Sequence, residues 1–166
     1  KAADVVLCED TRVTRKLTTR FGVETRLVPL HDHNEDQMID GILHRLTQGQ
    51  TVVLVSDAGM PLISDPGYRL VRAVIGAGYA VIGVPGANAA LMALQLSGLP
   101  TDRFFFAGFA PNKTVGRKKW LEEMTVVPAT LIFYESANRL AAALRDMAEV
   151  FGDRPASVSR ELTKQF

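Results

Sequence analysis

Two short stretches carry side chains able to move protons or grip a polar substrate: Glu9-Asp10-Thr11-Arg12 and His31-Asp32-His33-Asn34-Glu35. Each follows a short apolar run, Asp4 to Cys8 and Arg26 to Leu30, so each is expected just beyond the carboxyl end of a strand. Histidine titrates near neutral pH and carboxylates accept protons, a pairing suited to acid–base work on a hydroxyl. Glu9, Asp10, Arg12, His31, Asp32, His33 and Glu35 are therefore the candidate catalytic and substrate-gripping residues. Helix capping and loop hydrogen bonding account for the same Asp and Asn residues, and both readings stand at this point. A metal site is not expected, because His31 and His33 at i and i+2 of an extended segment would point to opposite sides.

The elements that must position these residues are organised around the run from Val52 to Gly67 and its echo from Val84 to Ala90. In each, an apolar and mostly β-branched run (Val52 to Val55, Val81 to Val84) passes straight into Gly, Pro and small polar residues, with a helical pattern after it. That is the pattern of a buried parallel strand ending in a loop, and open α/β sheets bind ligands outside such strand ends. Ser56, Ala58, Gly59, Gly86, Ala87 and Ala89 are small enough to let a ligand reach the backbone. Two ordinary strand-to-helix turns are the plainer account of the Pro-Gly pairs.

In chain order, helices are expected from Thr11 (Val13, Leu17 and Phe21 on one face), from Glu35 to Gln48 behind an Asn34 cap, and from Pro66. The last of these turns Leu70, Val71, Val74 and Ile75 inward. A strand from Ala80 to Val84 and a helix from Asn88 to Leu96, apolar nearly all round and so buried, complete the first unit. The alternation argues an α/β fold with a mostly parallel sheet and helices on both faces. Ser97 to Asp102 reads as a linker, dividing an N-terminal α/β domain (1–100) from a C-terminal one (101–166). In the latter, strands are expected from Arg103 to Phe109, Ala129 to Tyr134 and Ala156 to Ser159, with a helix from Arg139 to Phe151. Lys113, Arg117, Lys118 and Lys119 cluster at a helix start beside Trp120, a pattern that suits a phosphate backbone and a stacked base, or simply a solubilising loop.

Composition bounds the rest. A chain of 166 residues with 47% apolar and 22% charged side chains is globular, and a net charge of +1 leaves any nucleic-acid footprint to a local patch. The single cysteine, Cys8, lies in an apolar run and reads as a core residue of a cytoplasmic protein. The longest apolar region, Tyr79 to Leu99, is broken by Pro85, Gly86, Asn88, Gln95 and Gly98, so no membrane span is expected. Phosphate-binding Gly-x-x-x-x-Gly-Lys, dinucleotide-binding Gly-x-Gly-x-x-Gly and hydrolase Gly-x-Ser-x-Gly patterns are absent. The residues themselves lead to a two-lobed binder of a compact ligand and no further.

Six motifs in order extend this reading: Glu9 to Arg12, His31 to Glu35, Val55 to Gly67, Pro85-Gly86-Ala87, Leu131 to Ser136 and Arg160 to Lys164. Together they resemble the tetrapyrrole methylase superfamily and, within it, the ribosomal RNA small subunit methyltransferase I family, which methylates the 2′-oxygen of a cytidine in 16S ribosomal RNA. The resemblance spans essentially the whole chain. It implies S-adenosyl-L-methionine as methyl donor in a cleft between two α/β domains, a homodimer, and the 30S subunit as partner. Carried over position by position, it assigns the cofactor to Ser56, Asp57, Ala58, Met60, Asn88, Ala89, Glu135 and Leu162. Lys113, Arg117, Lys118 and Lys119, and the Arg12 to Arg20 face with Arg15 and Lys16, become candidates for RNA contact. Family members open with a strand and a Pro-x-Gly-Asn loop that this sequence starts after, and a further strand pair follows the Lys164 region, so the chain is expected to lack both. The family's usual His in its Glu-Ser-x-His-Arg segment is Asn138 here, and no proton-transfer role is expected there. Two other classes compete with this reading: a methyltransferase for a tetrapyrrole or corrin precursor, and a non-catalytic binding module on the same fold.

Overall fold

A computed structural model describes residues 3–163; Lys164 of the last motif lies outside the described residues. The chain forms two compact units, Lys1–Ala87 and Asn88–Phe166. The division falls earlier than the expected 100/101 boundary because Ala90 and Leu94 pack with Ile132, Phe106 and Tyr134 of the second unit.

In the first unit β1 (Val5–Cys8) is central in a parallel three-stranded sheet, with β2 (Arg26–Pro29) and β3 (Val52–Leu54) on either side. All four residues of β1 are buried, as a continuous apolar run in a parallel sheet requires. Cys8 is among them, with its thiol 3.9 Å from the Val28 carbonyl. Helix α2 (Glu35–Thr47) lays its Met38, Ile39, Ile42, Leu43 and Leu46 stripe on this sheet, as its periodicity predicts. Helix α3 (Tyr68–Gly76) adds Leu70 and Val74, and the core closes around Val5, Leu7, Leu30 and Ile42. Ile75, expected to face inward, is 58% exposed.

Four expectations are corrected in this unit. Helix α3 begins at Tyr68 rather than Pro66, because Gly67 occupies the cap position with φ 125°. A Cβ there would sit 2.6 Å from Leu54 Cδ2, so only glycine lets the chain pass so close to β3. Helix α1 (Thr11–Arg20) is capped by Asp10, whose side chain accepts from the Arg12 N–H, rather than by Thr11. Its presumed inner face, Val13, Leu17 and Phe21, is exposed, and Thr14 is its one buried residue, because the helix leans on the edge strand β2. Finally, residues 80–84 form no strand among the described residues. Ile82 is 85% and Val84 80% exposed: β-branched residues alone do not make a strand without a neighbouring backbone to pair with.

The second unit contains α4 (Ala89–Leu96), β4 (Phe104–Phe109), α5 (Thr114–Glu122), β5 (Thr130–Tyr134) and α6 (Ala137–Phe151). Strands β4 and β5 pair in parallel, with an irregular register between Phe106 and Gly108. Helix α4 buries only Ala90 and Leu94; Leu91, Met92 and Leu96 remain exposed, so its all-round apolar character does not translate into full burial. Residues 156–159 form no strand among the described residues. Trp120, expected to stack a base, is half-buried with its ring edge-on to Phe133 at 5.7 Å.

The basic cluster on α5 is split in the same way. Arg117 is buried, with its guanidinium 2.6 Å from the Asp146 carboxylate of α6 and further bonds to the Pro111 and Asn112 carbonyls, so it is not available as the RNA contact expected of it. Lys118 pairs with Glu149, whose hydrogen bond raises the lysine pKa; Lys113 and Lys119 are exposed. Removing Arg117 (R117A) leaves the Asp146 carboxylate buried without its partner and is expected to cost about 3–5 kcal/mol in a urea titration. Lys118→Ala, at a solvent-screened pair, should leave the unfolding midpoint nearly unchanged.

Candidate active site

The ends of all three strands in the first unit deliver polar side chains to one place. Ladder bonds run one residue past the strands, from Leu30 N–H to the Cys8 carbonyl (2.8 Å) and from Val55 N–H to the Leu7 carbonyl (2.9 Å). The chains therefore leave the sheet together. An open depression of about 390 Å³ lies there, lined by Glu9, Asp10, Thr11 and Arg12 after β1, Pro29 and His31 after β2, and Asp57 after β3. A tighter crevice beside it is lined by Glu9 and Leu30 together with Leu54, Val55, Ser56, Pro61, Asp65 and Pro66.

The loop after β2 is a closed turn, not an extended segment. Asn34 holds the cap position of α2 but turns its side chain back: Oδ1 accepts from the His31 N–H (2.7 Å) and Nδ2 donates to the Pro29 carbonyl (3.1 Å). The turn places the His31 and His33 rings on one side, centroids 5.8 Å apart, where an extended chain would have separated them. Among the described residues no group of three or more His, Cys, Asp or Glu could hold a metal ion.

Glu35 is corrected from candidate catalyst to structural anchor. Its side chain is 3% exposed, and Oε1 accepts from the Leu70 N–H at 2.8 Å, capping the first turn of α3 from the first turn of α2. Arg69 completes the junction, donating to the Asp36 carboxylate (2.9 Å) and to the Asp32 carbonyl.

The loop after β3 is tied at both ends. Ser56 Oγ donates to Asp65 Oδ2 (2.5 Å) and accepts from the Ala58 N–H (3.1 Å), while Asp57 Oδ1 accepts from the Asp10 N–H (3.3 Å). Leu62 (φ 70°) and Ser64 (φ 63°) adopt the left-handed region, a strained conformation for side-chain-bearing residues that a tightly held loop can sustain. Ala58 and Gly59 stand exposed at its tip. Nothing lies within 4 Å of a Cβ built on Gly59, and Gly86 brings the Pro85-Gly86 turn against Met60 Cγ. Asp65 and Arg69 escaped the sequence reading; the signal for Asp65 was its place in the small-residue loop opposite Ser56, and Arg69 had none.

The carboxylates differ in state. Hydrogen bonds from the Arg12 guanidinium hold the Asp10 carboxyl down at about 2. Loss of water around Glu9 pushes its pKa up, reinforced by Asp57, Asp65 and Asp32 and opposed by His31.

The remaining candidates lie in the second unit. Asn88 caps α4, its Oδ1 accepting from the Leu91 N–H (3.0 Å), and Ala89 is the first residue of that helix. Glu135, directly after β5, accepts from the Ser136 N–H (2.7 Å) and lies 3.0 Å from Arg139 Nη2, which also binds the Ala110 carbonyl. Leu162 is 40% exposed, outside any strand or helix.

A family model described as "Tetrapyrrole (Corrin/Porphyrin) Methylases" matches residues 1–166. The chain belongs to the tetrapyrrole methylase family. Its parallel α/β architecture agrees with that membership. Among its relatives, a protein named "Ribosomal RNA small subunit methyltransferase I" from Halalkalibacterium halodurans is 51% identical over 166 residues, which is 100% of this chain and 57% of that protein. Proteins of the same name from Mesorhizobium japonicum (51%, covering 99% of this chain and 56% of the relative) and Escherichia coli O157:H7 (49%, 99% and 58%) are similar to it. The chain thus spans somewhat more than half the length of these relatives.

Two measurements check the site's electrostatics and framework. In an NMR titration Asp10 should stay ionised down to about pH 2, and Arg12→Ala should raise its pKa towards, but not fully into, the usual aspartate range, because the backbone N–H bonds remain. Because the depressed pKa favours the folded chain while the carboxylate is ionised, that contribution is present above the usual aspartate range and fades as the pH falls towards 2. Glu35→Ala strips the buried Leu70 N–H of its acceptor and should cost about 1–3 kcal/mol, read as a lower denaturant midpoint.

Proposed function

We propose that this methylase is an S-adenosyl-L-methionine-dependent methyltransferase acting on the 2′-hydroxyl of a cytidine in 16S ribosomal RNA, working in the cytoplasm as a homodimer on the 30S subunit. The observation that carries the reading is identity near one half, sustained along the whole chain, with proteins named for small-subunit ribosomal RNA methylation. Among the described residues no helix is long and apolar enough to cross a membrane.

The residues present fit the cofactor. Exposed main chain at Ala58 and Gly59, with open space at Gly59, is what a compact zwitterion held by backbone groups needs, and the negative charge of Asp57 suits a sulfonium. Ser56, Asp57, Ala58 and Met60 would hold it from the first unit, and Asn88, Ala89, Glu135 and Leu162 from the second. When bound, it supplies a methyl group already activated on positively charged sulfur. The protein's task is then alignment of the ribose oxygen and removal of its proton. Glu9, His31, Asp32 and His33 are the side chains at the strand ends that serve the hydroxyl. Asp10 and Arg12, locked together, shape the wall. Lys113 and Lys119, with the exposed Arg15, Lys16 and Arg20 of α1, are the cations free to meet phosphates, with Lys118 shared with Glu149.

Incubation of the full-length protein and labelled donor with 30S particles, followed by mass spectrometry of the 16S RNA, should find one ribose-methylated cytidine. Transfer to a corrin precursor instead, or none to either, removes the assignment. Charge removal at Lys113 and Lys119 together should weaken 30S binding and flatten its salt dependence while leaving donor affinity unchanged.

A further inference from the structure

Resting on the 2′-O-methyltransferase reading, we propose that the Glu9 carboxylate is the group that takes the proton from the attacking ribose hydroxyl. Glu9 is the first residue beyond the central strand β1, and it alone lines both the open depression and the crevice beside it. It is exposed, so a substrate can reach it.

The Asp32 carboxylate lines neither cavity, and the other carboxylates at these strand ends already hold a partner. Asp10 is bound by Arg12, Asp57 by the Asp10 N–H, Asp65 by the Ser56 hydroxyl and Glu35 by the Leu70 N–H. Glu9 makes no hydrogen bond or ion pair among the described residues, so its oxygens are open to a new donor. Asp57 and Asp65 face it from the loop before α3, Asp32 and His31 from the loop before α2, and Asp10 with Arg12 follow it in sequence. Loss of water, and then the charges of Asp57, Asp65 and Asp32, make Glu9 a stronger base than an ordinary glutamate. His31 lines the open depression only, where its charge, when protonated, steadies the ionised Glu9.

In the step, the ribose O–H bond breaks and its proton goes to the Glu9 carboxylate. The oxygen's electron pair forms the new O–CH3 bond, and the pair of the breaking C–S bond stays on sulfur, which becomes a neutral thioether. Charge and atoms balance with no further reactant.

The test uses full-length protein, purified 30S subunits and labelled S-adenosyl-L-methionine under single-turnover conditions. Glu9→Gln should slow transfer by about 100-fold or more while donor affinity, measured by calorimetry, stays at the wild-type value. The wild-type rate should fall as the pH drops through the Glu9 titration followed by carboxyl 13C NMR, and that acid limb should vanish in E9Q. Should E9Q fail to fold by circular dichroism, Glu9→Asp replaces it, with a slowed rate and a retained acid limb expected. An E9Q protein with near-wild-type rate and an intact acid limb overturns the assignment while leaving the methyltransferase reading in place. A wild-type protein that transfers no methyl to 30S overturns both.

Discussion

The buried carboxylate of Glu35 on the Leu70 N–H is the contact on which the arrangement of the strand ends depends. It joins the first turns of α2 and α3, the helices that follow two of the three loops bordering the depression. A buried carboxylate without donors would be costly, so the pairing is obligatory wherever Glu35 is enclosed by the core. Arg69 extends the junction to Asp32 and Asp36, tying the histidine-bearing turn to α3. The turn and the loop after β3 are thereby held at their far ends by the same pair of helices, while the sheet holds their near ends. Little freedom remains for the backbone between.

Within that frame, chemistry is divided among carboxylates by what each already touches. Asp10 is drawn to about 2 by a guanidinium and serves as helix cap and wall. Asp65 and Asp57 brace the loop that exposes Ala58 and Gly59. Glu9 is pushed the other way by its surroundings and keeps its oxygens open. Groups of one chemical type thus take unlike roles through environment alone, the usual means by which a site obtains a rigid scaffold and a reactive group from the same residues.

The second unit shows the same economy with cations. Arg117 serves as an internal strut between α5 and α6, where its planar fork reaches Asp146 and two carbonyls at once. Lysines one turn or less away stay at the surface, where a single flexible charge suits contact with a phosphate. A cluster read as one patch is therefore two structures, an interior ion pair and an exterior fringe.

The sequence by itself determined the parallel α/β class, the apolar stripe of α2, the buried β1, the strand-end placement of the Glu9 and His31 motifs, and the family. The structural features follow from local pattern: continuous apolar runs, a helical period, and turn residues at strand ends, each legible within a window of a dozen residues, whereas the family rests on the resemblance of six motifs spread along the whole chain. Only the tertiary structure decided that Glu35 and Arg117 are interior, that Asn34 closes a turn instead of capping, that His31 and His33 share a side, and that residues 80–84 stay unpaired. Each of these depends on a partner remote in the chain or on the path of a turn, such as Leu70 for Glu35 and Asp146 for Arg117. A charged side chain reads the same in sequence whether water or a distant carboxylate satisfies it; burial and pairing, which separate the two, exist only once the chain is folded.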